Sequence, residues 1–419
     1  MRGPEGWRSL PFSEFAEINP KRPLKKGQRV PFVEMAAVPT HGSQIQYLQE
    51  REAGSGGSCF RNGDTLFARI TPCTENGKIA YVDCLPKSVS AKGSTEFIVF
   101  GPRQGLSDSR YLYHLARSTL IRRPAIARMA GTTGRQRVPN AVFDDIEIQA
   151  PPLAEQRLIS KVLCSVDEAI TATQAVIEQT RMVKQAVLNC LLTKGIGHTR
   201  FKQTEFGSIP EDWKIVPLRT VAQVQTGVAK GKKDIQDPVE LPYLRVANVQ
   251  DGYIDLTELK TITISAAQVE RYSLRSGDVL MTEGGDFDKL GRGDIWKGQV
   301  PVCLHQNHVF AVRPNPNLLV SEFLAALTAS AHGKNYFLGC AKRTTNLASI
   351  NSTQVKDFPV LLPGKEEQER IVQQVAAYSL AERSASDTLA QLEQTKSALM
   401  SDLLTGRKRV SADALSSAL

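Results

Sequence analysis

Two stretches of the chain place apolar side chains at alternating steps of four and three residues, the spacing that keeps one helix face continuously hydrophobic. In the first, the positions are Ile159, Leu163, Val166, Ile170, Thr173, Ile177, Thr180, Lys184, Val187 and Leu191. In the second, they are Ile371, Val375, Tyr378, Glu382, Ala385, Leu389, Leu392, Lys396, Leu399 and Leu403. A mean spacing of 3.5 residues predicts a seam along which two helices interlock. The ends carry helix punctuation. Pro151-Pro152 opens the first, where missing N–H groups cost nothing; Glu155 follows in the first turn, and Gly195 stands at the end. The second opens after Pro363 and stops at Gly406, followed by Arg407-Lys408-Arg409. At 1.5 Å per residue a 39-residue helix spans roughly 60 Å, longer than a small core can cover. Each helix could instead pack on its own neighbouring segment. The shared register favours an antiparallel coiled coil within the chain.

The remaining segments read as mixed. Phe97–Phe100, Asp145–Gln149, Leu241–Val246 and Val309–Val312 predict strands, and Ser109–Arg128 and Val320–Lys334 predict helices. Frequent Gly and Pro predict long loops. The chain is also written twice. At an offset of 212, residues 155–193 align with 367–405 without a gap, and ten of the 39 pairs are identical, Glu155/Glu367, Gln156/Gln368 and Lys184/Lys396 among them. Fainter echoes flank these stretches: Glu5-Gly6-Trp7 with Glu211-Asp212-Trp213, Arg61-Asn62-Gly63-Asp64 with Arg275-Ser276-Gly277-Asp278, and Gly131-Thr132-Thr133 with Arg343-Thr344-Thr345. The expected class is therefore α+β with a pseudo-twofold repeat. Two mixed α/β domains, residues 1–150 and 197–362, alternate with helical regions 151–196 and 363–410, and a tail covers 411–419.

Charge sharpens this picture. The 419 residues carry a formal net charge of +9. Lys and Arg outnumber Asp and Glu by 21 to 14 over residues 1–150, but only by 19 to 17 over 197–362. A polyanionic partner is favoured, with the excess in the first domain. The seven cysteines are scattered and form no C-x-x-C pair, which argues against a disulfide framework or a structural zinc and for a reducing cytoplasm. No apolar run approaches the roughly 18 residues of a membrane span, and the first residues lack a signal core, so no membrane is expected.

Catalytic signatures are absent. Gly227–Lys233 comes nearest to a phosphate loop but is one residue short, with Lys233 where a hydroxyl is needed. Asn19-Pro20-Lys21 and Asn315-Pro316-Asn317 both depart from the Asn-Pro-Pro-Tyr type after the proline, and no G-x-G-x-x-G exists. Glu283, Asp286, Asp288 and Lys289 cluster in a Gly-rich loop and raise a metal-dependent nuclease as an alternative. Two-metal chemistry needs carboxylates converging from rigid elements, and the first copy has no counterpart. His305 and His308 read as packing histidines rather than a metal pair. No cofactor is expected.

Ala150-Pro151-Pro152-Leu153-Ala154-Glu155-Gln156 resembles the Pro-Pro-Leu-x-Glu-Gln signature that opens the helical conserved regions of Type I restriction–modification specificity subunits. The second copy keeps Glu367-Gln368 but reads Leu361-Leu362-Pro363-Gly364 in place of Pro-Pro-Leu. The resemblance implies two target-recognition domains, each reading half of a bipartite double-stranded DNA site. It implies a coiled coil that separates them and docks two adenine methyltransferase subunits, with motor-nuclease restriction subunits in the full complex. The chain itself would not be an enzyme. A specificity subunit of a system outside Type I is the nearest alternative, and a coiled-coil scaffold without DNA binding a more distant one. Candidate DNA contacts are Arg69, Thr71, Asn76, Lys78, Arg135, Gln136 and Arg137 in the first domain, with Lys289, Arg292, Lys342, Arg343, Thr344 and Asn346 in the second. Lys and Arg suit phosphates, Arg also suits guanine, and Asn or Gln suits adenine.

Overall fold

Leu153–Lys194 is one uninterrupted helix and Lys365–Leu403 a second. The first stops where Gly195 enters the left-handed region at φ 63°, its N–H donating to Leu191 O at 3.1 Å; Gly406, past the second, has φ 70°. The computed structural model describes residues 4–25, 27–54, 56–132, 134–231, 235–285, 290–343 and 348–410. Lys289, Thr344 and Asn346, with Asp286, Asp288 and the 411–419 tail, lie outside the described residues, as does the side chain of Arg343.

The chain forms two compact units, residues 1–177 with 384–419, and residues 178–383, so each long helix contributes to both. In the first unit, Ile159 and Leu163 share a core with Leu399, Met400, Leu403 and Leu404. In the second, Val187, Leu188 and Leu191 share a core with Ile371, Val372 and Val375. Within each unit the start of one helix meets the end of the other, and the pairing is antiparallel. Along the seam Ile159, Leu163, Ile170, Ile177, Leu191, Ile371 and Leu403 are buried, while Val166, Val187, Val375, Tyr378, Leu389, Leu392 and Leu399 are half-buried. The two lysines on the seam face acids: Lys396 pairs with Asp167 in the first unit, and Lys184 with Glu382 at 3.4 Å in the second.

Each unit carries the same mixed domain. In the first, an antiparallel sheet runs Ala16–Ile18, Phe97–Pro102, Thr65–Ala68, Ile79–Tyr81; in the second, the order is Ala222–Thr226, Val309–Pro314, Val279–Thr282, Gly293–Ile295. A second layer repeats a parallel pairing, Arg29–Val33 with Ser90–Gly93 and Pro238–Leu244 with Leu304–His305. A closing strand pair leads into each long helix: Arg8–Pro11 with Glu147–Ala150, and Lys214–Pro217 with Pro359–Leu362. Apolar runs in these strands bury Phe67, Ile98 and Phe100 with Phe12 and Phe143, the Phe100 and Phe143 rings meeting edge to face at 4.9 Å.

Ser109–Arg128 is not one helix. It is two, Ser109–Arg117 and Thr119–Ala127, and the second copy breaks likewise into Ser321–Ala329 and Ala331–Cys340. Ser118 and Ser330 take extended ψ values of 160° and 172°, and each hydroxyl donates to the carbonyl three residues back at 2.6 Å. Serine competes with the helix for its own backbone, a local preference that apolar periodicity does not register. No helix among the described residues is long and apolar enough to cross a membrane.

Candidate nucleic-acid interface

The Arg-x-Gly-Asp echo is a turn that feeds the central strand of each sheet. Asp64 Oδ2 accepts from Arg61 N at 2.8 Å, and Asp278 Oδ2 from Arg275 N at the same distance. The intervening Gly63 and Gly277 sit at φ 91° and 93°, which only glycine adopts without strain. Both aspartates are fully buried and each is neutralised by a two-pronged arginine. In the first unit this is Arg22, at 2.8 and 3.1 Å; in the second it is Arg313, at 2.6 and 2.7 Å. Arg22 lies in the loop after Ala16–Ile18, whereas Arg313 lies within the strand Val309–Pro314. Gly101 stands 212 residues before Arg313, and a Cβ there would lie 2.8 Å from Arg22 Nη2.

Downstream of that strand the candidate contact residues of the first domain converge. Arg69 N donates to Glu96 O at 2.9 Å, Val138 N to Arg69 O at 2.8 Å, and Thr71 N to Gln136 O at 3.0 Å. Residues 69–71 and 136–138 are thereby joined into one surface. Arg137 donates to Glu96 at 2.6 to 3.1 Å, which holds the Glu96 carboxyl below its ordinary range, with Arg69 adding to the pull. Arg135, Gln136 and Asn76 are exposed. Thr71 Oγ1 donates to Glu75 at 2.9 Å, and Lys78 Nζ donates to Met35 O at 2.9 Å, so both side chains already have partners. The Arg69 guanidinium makes no hydrogen bond or ion pair within the described residues, and its Nε is buried without a partner. It lines a cleft of about 780 Å³ together with Lys21, Ser58 and Thr95.

The second domain rebuilds this frame. Thr282 N donates to Arg292 O at 3.1 Å, as Ala68 N does to Lys78 O at 3.0 Å. Glu283 N donates to His308 O at 2.9 Å, and Ile350 N to Glu283 O at 2.8 Å. Lys342–Arg343 pairs with Ala348–Ser349, which pairs in turn with Gly284–Gly285. Arg69 thus matches Glu283, Lys78 matches Arg292, Glu96 matches His308, and Arg137 matches Ser349. Lys342 is exposed and Arg292 half-buried. His308 Nδ1 bonds the Glu283 carboxylate, whereas His305 is buried with Nδ1 against Val309 O at 2.7 Å, and burial pushes its pKa down. Among the described residues no three His, Cys, Asp or Glu side chains are grouped to hold a metal ion.

The sequence places Glu155 near a helix dipole and both Glu155 and Gln156 in a repeated signature, without naming what either side chain binds. Both are anchors. Glu155 accepts from Trp7 Nε1 at 3.1 Å and from Arg409 at 2.6 and 2.8 Å. Glu367 accepts from Trp213 Nε1 at 3.0 Å, Ile196 N at 2.9 Å and His198 at 2.8 Å. Gln156 takes Asp108 N at 2.8 Å and donates to Leu106 O and Pro151 O at 2.8 and 2.9 Å. Gln368 repeats this with Val320 N, Leu318 O and Pro363 O at 2.9 to 3.0 Å. The repeated Trp and the repeated Glu-Gln pair were the available signal.

The Type I restriction modification DNA specificity domain matches the chain twice, over residues 4–180 and 210–394. The EcoKI type I restriction enzyme specificity subunit of Escherichia coli K12 is 25% identical over 439 aligned positions, covering 96% of this chain and 89% of its own. A protein named as the MjaX specificity subunit of Methanocaldococcus jannaschii is 30% identical over 206 residues, about half of each chain (49% and 48%). A solved structure titled for assembly and conformational transition of the type I R-M system has a similar fold, with a TM-score of 0.60, 20% identity and coverage of 96% and 99%. The S subunit of a Type I system from M. genitalium does too, at 0.54 and 12%, with 95% and 96% covered. With the family's domain present in both halves, the chain belongs to the Type I restriction–modification DNA specificity subunits.

Proposed function

We propose that the chain reads a bipartite double-stranded DNA target, one half with each mixed domain, and carries out no catalysis itself. Two adenine methyltransferase subunits would dock on its paired long helices, motor-nuclease subunits would complete the restricting complex, and the assembly would work in the cytoplasm. The observation that carries the reading is the duplicated frame. The same turn, the same strand order and the same backbone bonds recur 206 to 214 residues apart, while the side chains displayed on them differ. A shared scaffold with divergent display suits two readers of unlike sequences. Phosphate contacts from exposed Lys and Arg would supply salt-dependent affinity, and base-edge contacts the specificity.

Reconstitution with its methyltransferase subunits, followed by mapping of methylated adenines, tests the reading. Two short sequences separated by a fixed, unread spacer are expected; a single uninterrupted motif would overturn it. The purified chain incubated with magnesium and plasmid is expected to leave the plasmid intact. Cleavage would reinstate a nuclease centred on the 283–289 loop.

A further inference from the structure

Three matched positions on the two frames carry opposite chemistry. The first domain displays Arg69, Glu96 and Arg137, and the second displays Glu283, His308 and Ser349. With histidine neutral, the first set sums to one positive charge and the second to one negative charge at the same place on the same scaffold. The backbone at this place is equally fixed in both, through the bonds from residues 69 and 283 to residues 96 and 308. The difference therefore lies in what each side chain can offer a ligand.

Arginine is a donor only, in a rigid fork; a carboxylate is an acceptor only. In the first domain Arg137 holds the Glu96 carboxylate, and Arg69, close enough to add to the pull on Glu96, has its Nε buried with no hydrogen-bond partner. A buried donor of this kind is expected to find its partner somewhere, and no described residue supplies one. In the second domain His308 holds one oxygen of Glu283 and so fixes the carboxylate plane, while a carboxylate has more acceptor sites than one imidazole fills. In the major groove, guanine presents two acceptors, O6 and N7, that match an arginine fork. Cytosine presents an amino group that matches a carboxylate.

We propose that Arg69 and Glu283 are opposed specificity determinants: Arg69 donates to a guanine in one half-site, and Glu283, with His308 as its positioning residue, accepts from the amino group of a cytosine in the other. This rests on the bipartite reading proposed above. The two half-sites then differ because one scaffold position has inverted its hydrogen-bonding sense.

Gel shifts of the methyltransferase complex on duplexes substituted one base pair at a time test the assignment. For Arg69→Gln, discrimination at one G·C pair of one half-site is expected to fall about tenfold or more, with the other half-site unaffected. Arg69→Lys is expected to lose only part of that discrimination while keeping the salt dependence of binding, because an ammonium can still reach O6 and N7 but without the rigid fork. Glu283→Gln is expected to relax one position in the other half-site only. Equal weakening of every duplex, or an unchanged preference at all positions, overturns the proposal. If the unaltered complex shows no bipartite preference on the same panel, the functional reading beneath it fails as well, and the two failures are told apart by that control.

Discussion

Gln156 shows how much one side chain, repeated at the same place in the second copy, can hold. Its side chain satisfies the buried N–H of Asp108 and the carbonyls of Leu106 and Pro151, tying the first residues of a long helix to the loop before the next short helix. Gln156→Leu fits the space but strands all three groups, and is expected to destabilise the first unit by about 2–4 kcal/mol. Urea unfolding measures this, and a change under about 0.5 kcal/mol would show that the bonds contribute nothing net. His114 provides a pH signature. It is fully buried, its Nδ1 makes no hydrogen bond and lies 4.0 Å from the Asp167 carboxylate, and burial, with Lys396, Arg117 and Arg110 nearby, pushes its pKa well below the ordinary 6.5. His305 and His332 are lowered by burial too. The native state keeps these rings neutral while the unfolded chain binds protons, so stability falls as pH drops through about 6.5. Glu96 and Glu382, lowered from 4.5, add their loss only below that value. His114→Gln is expected to flatten the slope of the urea midpoint between about pH 7 and pH 5. At the surface, Arg135→Ala with Arg137→Ala is expected to weaken cognate binding and reduce its salt slope in gel shifts. Unchanged affinity and salt response would remove that loop from the interface. The identity of Glu155 and Gln156 in both copies was legible in the sequence; their partners were not, because helical spacing says which face a residue occupies and not which distant loop reaches it.

Helices and strands were more legible than the joints between them. The two long helices follow from periodicity and terminal glycines, since a seam every 3.5 residues has few other structural solutions. Expected strands moved by a few residues: Asp145–Gln149 became Glu147–Ala150, and Leu241–Val246 became Pro238–Leu244. Breaks at Ser118 and Ser330 escaped detection because the apolar pattern runs through them. Lys396 and Lys184, on seams otherwise mostly apolar, find Asp167 and Glu382 at positions one helical turn apart when the copies are aligned. With both side chains only 13% exposed, the Lys396–Asp167 pair is mostly removed from water. Lys396→Met alone leaves a half-buried carboxylate and is expected to cost about 2 kcal/mol, while adding Asp167→Leu restores most of it. A double-mutant cycle by chemical unfolding reads the coupling. A double-variant cost equal to the sum of the two single costs would show that the pair does not specify the seam.

For the molecule as a whole, the repeat made the architecture visible before any single site was. An offset of 212 residues held over both helices announced two equivalent domains, whereas sequence alone matches Arg69–Lys78 only loosely to Glu283–Arg292. Backbone bonds supplied that match. Under the proposed function, helix length sets the gap between half-sequences. Deleting one heptad from each long helix is expected to change the preferred spacer while leaving both half-sequences intact, as methylation mapping would show; altered bases would contradict it. The neutralised aspartates add a restriction on ancestry. Asp64 draws its guanidinium from residue 22 and leaves a glycine at 101, whereas Asp278 draws its own from residue 313. A hybrid domain joined between the positions of residues 22 and 101 would inherit either no counter-charge or two crowded into one hollow. Hybrids of the two copies are thereby expected to fold only when the junction falls outside that stretch, so that the turn, the sheet and its counter-charge are inherited together.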